Sequence, residues 1–436
     1  MDPLAPALER LTQSVPKAID LSLDRIRAGL TLLGSPEKRL PPVIHLAGTN
    51  GKGSTLAFLR SIYRAAGYRV HSYSSPHIVS FCERIHLNNQ DVTPKVLAGA
   101  IDDFLRVNFY DATFFEALTI IAFHLFAAHP ADVLILETGL GGRGDATNVV
   151  DDKCATILTP LSMDHQDRLG DTLEKIAREK IDIFRPNTPI FCGLQHPSVT
   201  PLVRDAASAL NAPLIQYDVD FTADLSQDGL LWRDLGTGET LVLPRPSLRG
   251  AHQGHNAALA TACVFGLQGV FPVSQAALER GLRETFWPAR LQSVKPASLA
   301  LPPSWSVIVD GSHNAAGAQT LRDFLDTQSW QRRILVMGCL ARKDWRTIVD
   351  ALASWPTEIH LVPVTGHDTS WDLAQVQAHL TPHNIPITLH NDWRSALAAL
   401  PTHNPHPAST GVIITGSLYL AGDVLGGIAF PPNTLG

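Results

Sequence analysis

A chain of 436 residues is longer than one hydrophobic core usually organises, so two domains are expected. Hydrophobic residues at 45% against charged residues at 17% exclude a disordered chain, and a net charge of -6, with 35 basic and 41 acidic residues and no long basic run, gives no nucleic-acid footprint. Five scattered cysteines (Cys82, Cys154, Cys192, Cys263, Cys339) without a CxxC pair argue against a disulfide framework or structural zinc and fit a reducing cytoplasm, while neither a signal-peptide pattern nor a membrane-length apolar run is evident.

In chain order, "PVIHLAG" predicts a strand over Val43 to Leu46, and "STLAFLRSIYRAAG" a helix starting near Ser54. "ALTIIAFHLFAAH" reads as a buried helix. "ADVLILETG", "CATILTPL" and "NTPIFCG" read as continuous apolar strands, and strands of that kind separated by helices indicate a mainly parallel sheet covered on both faces. From about residue 214 to 249, short alternating stretches with Gly and Asp turns suggest an antiparallel excursion at the edge of the first domain, followed by a helix at "HNAALATACVFGL". The Pro-rich "KPASLALPPSW" predicts a linker, with the boundary near residue 295. Beyond it, "WSVIVDGSHN", "RRILVMGCL", "EIHLVPV", "PITLH" and "GVIITGS" supply strands for a small doubly wound domain. The fold class is therefore α/β in two domains, 1–294 and 295–436.

Between the first strand and its helix lies "GTNGKGS". It fails the common phosphate-loop pattern, because Leu46 stands where the first Gly is expected and Gly53 follows Lys52. The context is nevertheless that of a phosphate site: successive backbone N–H groups and a helix N-terminus face an anion, and Lys52 adds a mobile positive charge. A buried strand ending in Glu137 is where a phosphate-loop enzyme holds magnesium, the alternative being a surface carboxylate at a strand end. His165 follows the next strand and could reach a metal or phosphate; as a lone loop histidine it could equally be solvated. Lys180, in the following helix, reads by itself as a solvated lysine, and Asn256 as a helix N-cap or a ligand. In the second domain Asp310, His313 and Ser417 sit in turns at the carboxyl ends of strands, where open α/β sheets bind ligands, or simply cap helices.

Together these segments resemble the dihydrofolate synthase and folylpolyglutamate synthase family of the Mur ligase superfamily. "AGTNGKGS", "YSSPHIVSFCERI", "TFFEALT", "ILETGLGGRGDATN", "MDHQDRLG", "HQGHNAALA", "WPARLQ", "VDGSHN" and "TGSLYLAGD" occur in the family's order through most of the chain. The resemblance implies an N-terminal P-loop ATPase domain with a small antiparallel sheet, a C-terminal Rossmann-like domain, and an ATP-dependent amide ligation. In that reaction the substrate carboxylate attacks the γ-phosphate to give an acyl phosphate, and L-glutamate displaces phosphate. A cytoplasmic monomer, with no nucleic-acid or membrane partner, is expected.

By motif match, Thr49, Asn50, Gly51, Lys52, Gly53 and Ser54 would cradle the phosphates, and Asn256, Arg290 and Asp310 would contact ATP. Ser75, Glu137 and His165 would hold magnesium, two ions being expected. Lys180 resembles the family's carbamate-bearing lysine, which needs a depressed pKa to offer a neutral amine. Lys52, Lys180 and His313 would be the catalytic residues, with His313 and Ser417 on the glutamate side. Ala18, Ile19, Asp20 and Leu21, with Gly144, Asp145, Ala146 and Thr147, resemble the dihydropteroate-binding segments of bifunctional members, which favours action on both dihydropteroate and reduced folates.

There are departures. "EKIDIF" replaces the usual "EKAGIF", so that Asp182 either crowds the metal site or points to solvent. Gly144 replaces a frequent Leu, and Arg342 stands where an Asp is common. Three alternatives stay open: a folylpolyglutamate synthase without the dihydropteroate step, another Mur-type amino-acid ligase, and a nucleotide-binding regulator that no longer ligates. Against the second, only about 40 residues precede the loop, too few for a nucleotide-sugar domain.

Overall fold

The computed structural model describes residues 3–15, 22–365, 369–401 and 409–428. Ala18, Ile19, Asp20 and Leu21 lie outside the described residues. Two compact units emerge. The first runs to Phe286 but leaves out 78–80 and 248–252, which belong with the second unit from Trp287 onward.

The first unit is built on a sheet of β1 (Val43–Ala47), β2 (Val70–Tyr73), β3 (Ile85–Leu87), β4 (Gln90–Asp91), β5 (Val133–Glu137), β6 (Ala155–Leu158), β7 (Ile190–Cys192) and β8 (Leu214–Gln216), in the order β4-β3-β2-β5-β1-β6-β7-β8. All neighbours from β2 to β8 pair in parallel; β3 and β4 add an antiparallel edge. Side chains alternate between two apolar layers. Tyr73, Leu134 and Leu136 face Leu118, Ile121 and Phe126, whereas Ala47, Leu158 and Cys192 face Ala177, Ile183 and Phe184. Burial on both faces is why β5, β6 and β7 are almost wholly apolar, while the polar residues of β1 and β2, His45, His71 and Ser72, are themselves buried.

The apolar helix is Phe114–Ala128. It is started by a capping box in which Thr113 accepts from the Glu116 N–H and Glu116 accepts from the Thr113 N–H at 2.7 Å. Buried Glu116 is offset by Arg25 at 3.0 Å.

The antiparallel excursion is narrower than expected from sequence. Leu214–Gln216 is the parallel edge strand β8, and the separate sheet comprises only β9 (Phe221–Leu225), β10 (Leu230–Asp234) and β11 (Thr240–Leu243). Its first strands are held by the stacked rings of Phe221 and Trp232.

The second unit has the order β12-β13-β17-β14-β15-β16, with β12 (Gln292–Val294), β13 (Ser306–Val309), β14 (Arg332–Met337), β15 (Glu358–Leu361), β16 (Ile387–Leu389) and β17 (Thr410–Thr415). The five predicted strands are present and parallel. The added one, β12, is antiparallel to β13 and lies before the Pro-rich segment, so the second unit takes up the chain at Trp287 rather than near residue 295. Three residues with one apolar side chain give no periodic signal.

Within this sheet Arg332 reaches Glu358 at 2.6 Å, Glu358 faces His360 at 3.5 Å, and His360 Nδ1 meets His390 Nε2 at 2.9 Å. Burial opposes the charged carboxylate, but the hydrogen bonds from His360 and Arg332, and their charges, outweigh it and hold Glu358 at about 2. A depressed carboxylate stabilises the fold above its unfolded pKa, about 4.3, and loses that contribution as pH falls towards 2. Glu358→Gln should therefore lower the melting temperature at pH 7, with the gap to wild type shrinking by pH 3. An equal gap at both values would show that the charge contributes nothing.

Candidate active site

Parallel pairing brings the carboxyl ends of β2, β5, β1 and β6 to one edge in that spatial order. Ser75 follows β2, Glu137 ends β5, the Gly-rich loop follows β1, and His165 follows β6 by a longer turn. The predicted metal and phosphate residues are thus gathered by topology from four separate stretches of chain.

The loop helix is Lys52–Ala65, two residues longer at its start than expected. Gly51 sits at its N-cap in the left-handed region (φ 86), no side chain caps the first turn, and that turn holds no acidic residue. Uncapped amides at a helix N-terminus are donors available to a phosphate. Lys52 Nζ folds back to the Gly48 carbonyl at 3.0 Å and the Thr49 carbonyl at 3.4 Å, and lies 3.9 Å from Glu137 Oε1.

Thr49 and Asn50 are placed differently from the motif match. Both backbone N–H groups donate to the Pro160 carbonyl, at 3.1 and 3.2 Å, and both side chains bond to Ser162. They pin the loop to the turn after β6, which leaves the amides at the start of the Lys52 helix as the loop's candidate donors to a phosphate. Asn256 lies inside the helix Ala251–Gly266 and is not its N-cap. It donates to Gln253 at 3.0 Å, Gln253 donates to the Ser54 hydroxyl at 3.2 Å, and a Cβ on Gly51 would lie 2.5 Å from Asn256 Oδ1. Asn256 therefore backs the loop directly.

Lys180 is buried and its ammonium donates to the same Gly48 carbonyl at 3.0 Å. Burial first, and the charge of Lys52 second, push its pKa down to about 7. This is no solvated surface lysine. Asp182, the departure beside it, is about half exposed, with its carboxylate 3.7 Å from Arg143 Nε; it points outward and does not crowd the loop. Arg342 is exposed on the other unit.

His165 holds a left-handed backbone (φ 51) ahead of the short helix Gln166–Leu169, with its ring 3.9 Å from Asp164. Among the described residues no group of three or more His, Cys, Asp or Glu side chains could hold a metal by itself. Any cation at Glu137 or His165 would need further donors such as phosphate and water, as magnesium usually has, and the buried Glu137 carboxylate is the kind of oxygen ligand a hard ion takes.

In the "GRGDATN" segment, Gly144 is half-buried and Asp145, Ala146 and Thr147 are buried. Asp145 accepts from the Leu140 N–H at 2.7 Å and from the Thr147 N–H and hydroxyl at 3.0 and 2.5 Å. Burial pushes its pKa up. Since the Thr147 hydrogen goes to Asp145, His45 Nε2, 2.8 Å from Thr147 Oγ1, is the donor there, and burial keeps that imidazole neutral.

Within the second unit, Asp310 Oδ2 accepts from the Leu291 N–H at 2.9 Å, next to half-buried Arg290, and its Oδ1 accepts from Ser312. His313 Nδ1 contacts the Gly311 carbonyl at 2.9 Å. Ser417 caps the helix Leu418–Gly427. The turns bearing these residues follow the neighbouring parallel strands β13 and β17.

A family model described as "Dihydrofolate synthetase, C-terminal domain" matches residues 300–427. The dihydrofolate synthase/folylpolyglutamate synthase of Bacillus subtilis is 31% identical over 418 residues, covering 92% of this chain and 94% of its own. The chain belongs to the dihydrofolate synthase/folylpolyglutamate synthase family. E. coli FolC in complex with DHPP and ADP matches with a TM-score of 0.85 at 32% identity over 97% of each chain. A bifunctional folylpolyglutamate synthase/dihydrofolate synthase with Mn, AMPPNP and L-glutamate bound gives 0.83 at 30% over 98% of each.

For a member of this family, two supporting residues were missed in the sequence. Gln253 precedes Asn256 by three positions in a helix, a spacing that puts both on one face and could have signalled it. Gly48 reads in the sequence as one of the loop glycines that let the backbone approach a phosphate, and nothing there shows its carbonyl receiving two lysines. Its φ is 153, and a Cβ there would lie 1.9 Å from Thr159 Oγ1. Gly48→Ala should weaken ATP binding by at least about 10-fold in calorimetry, because the loop must move away from Thr159. Gly99→Ala, on an exposed helix with nothing within 4 Å, is the control and should bind ATP normally.

Proposed function

We propose that this chain is an ATP-dependent ligase that joins L-glutamate to dihydropteroate and to reduced folates. The observation that carries this reading is the meeting of Lys52 and Lys180 on the Gly48 carbonyl, beside Glu137, at the mouth of an uncapped helix. Such an arrangement suits phosphoryl transfer, which depends on positioning and charge stabilisation more than on covalent help from the protein.

The amides from Gly51 to Ser54 and the Lys52 ammonium hold the transferred phosphoryl group as the substrate carboxylate attacks it. The resulting acyl phosphate is then opened by the amine of glutamate, releasing phosphate. Bound magnesium, two ions in this reading, would draw charge from the phosphates, with Ser75, Glu137 and His165 as its protein ligands. Asn256, Arg290 and Asp310 are read as ATP contacts, and His313 and Ser417 as glutamate contacts. Asp145 and its neighbours, with the Asp20 segment, bind the pterin. Lys180 carries the carbamate, and its lowered pKa supports this because only the neutral amine takes up carbon dioxide. Five free cysteines, four of them buried, fit the cytoplasm, where the enzyme acts as a monomer.

Purified protein with ATP, magnesium and glutamate should release ADP when offered dihydropteroate and when offered tetrahydrofolate. Silence with both would sink the ligase reading, and product from tetrahydrofolate alone would remove the dihydropteroate step. Lys180→Ala should lose most of its turnover and gain nothing from added bicarbonate. Lys52→Ala should lose at least ~100-fold, by analogy with deletion of a preorganised charge contact; near-normal rates would contradict the phosphate assignment.

A further inference from the structure

The helix that carries Lys180 is short, Leu173–Ile181, and Lys180 lies in its last turn. Carbonyls at such an end have no partner within the helix and must find one elsewhere. Here the Glu179, Lys180 and Ile181 carbonyls accept from the backbone N–H groups of Arg143, Ile183 and Phe184, and the carbonyls of the turn that follows, Asp182 to Phe184, accept from three side chains. Asn148 Nδ2 donates to the Asp182 carbonyl at 3.4 Å, Lys153 Nζ to the Ile183 carbonyl at 2.8 Å, and Arg185 to the Asp182 and Phe184 carbonyls, both at 3.1 Å. Of the three, Arg185 brings a positive charge to the negative end of the helix, whereas burial and that neighbouring charge push the Lys153 pKa well down.

Asn148 is where these ties converge. Its Oδ1 accepts from Lys153 at 3.0 Å and from Arg185 at 2.9 Å, its backbone carbonyl accepts from Arg185 at 2.9 Å, and its Nδ2 also reaches the Arg143 carbonyl at 3.3 Å. The side-chain amide thus uses both lone pairs and both hydrogens while buried at 3% exposure, and an apolar replacement would leave several buried partners unmatched. From the other side, the Arg143 N–H donates to the Glu179 carbonyl at 2.8 Å and its guanidinium meets Glu179 at 3.0 Å. Gly142 packs so closely that a Cβ would lie 2.6 Å from the Glu179 carbonyl and 2.8 Å from that of Lys180. The "GRGDATN" segment and the end of the Lys180 helix are therefore one polar-bonded block.

We propose that Asn148 is a positioning residue for Lys180: by fixing the turn that follows the helix, it holds the Lys180 ammonium at the Gly48 carbonyl and ties that placement to the segment bearing Asp145. The inference rests on the reading of Lys180 as a working residue of the ligase.

The test uses the full-length protein. Asn148→Asp keeps the acceptors for Lys153 and Arg185 but loses the donations to Arg143 and Asp182. Lys153→Met cuts the neighbouring tie and serves as the second variant should the first fail to fold. Both should show wild-type circular dichroism, a KM for ATP within about 2-fold, and kcat lowered by about 10- to 100-fold, since small misplacements of a working group are costly. In buffer freed of carbon dioxide, where Lys180 carries no carbamate, trace acetylation of Lys180 followed by mass spectrometry should titrate near 7 in the wild type. In the variants the midpoint should move up, as the amine loosens towards water. An unchanged midpoint and unchanged kcat, with Lys180→Ala inactive, would overturn the inference alone. A fully active Lys180→Ala would remove the role of Lys180, and this inference with it.

Discussion

Two ammonium groups share one carbonyl, and the first unit is arranged around that constraint. Lys52 and Lys180 both donate to Gly48, so two cations approach each other in a site that water barely enters. Like charges at such range cannot both be comfortable. Glu137 offsets part of the cost from the side of Lys52, and Lys180 yields, its pKa brought down to about 7. An anion placed against the loop would relieve the repulsion further, so the electrostatics there favour negative charge.

Holding that constraint in place requires rigidity from the parts that lack chemistry of their own. Thr49 and Asn50 give their amides to Pro160, which fixes the loop against the turn after β6. Gln253 and Asn256 brace it from the helix behind, and the Asn148 block anchors the second lysine. The parallel sheet sets the distances between these supports, because β5, β1 and β6 are adjacent and in register, with Leu46 opposite both Glu137 and Ile157. A one-residue slip at β5 would turn the Glu137 side chain to the opposite face and leave Lys52 without its counter-charge.

Much of this was legible in the sequence. Continuous apolar runs named the parallel strands, Gly spacing and Lys52 named the loop, and Glu137 was visible as a carboxylate ending a buried strand. What could not be read is whatever depends on which atom a polar side chain meets. Asn256 looked like a cap because sequence shows only that a helix begins nearby. Lys180 by itself looked solvated, since burial of a lysine follows from the packing around it and not from its neighbours in the chain. Strand β12 escaped because three residues carry no period, and β8 was folded into the antiparallel excursion because its short run precedes a change of texture rather than marking one.

Asp182 shows how the two kinds of knowledge combine. From the sequence it was an extra carboxylate two residues from a critical lysine, and its effect could have had either sign. The helix ends at Ile181, which turns the Asp182 side chain out towards Arg143 while its backbone carbonyl stays inside, bonded to Asn148 and Arg185. The side chain is therefore free to vary at that position, and the carbonyl is not. The ties here are built on backbone acceptors just beyond a helix end, which any residue at the position can supply.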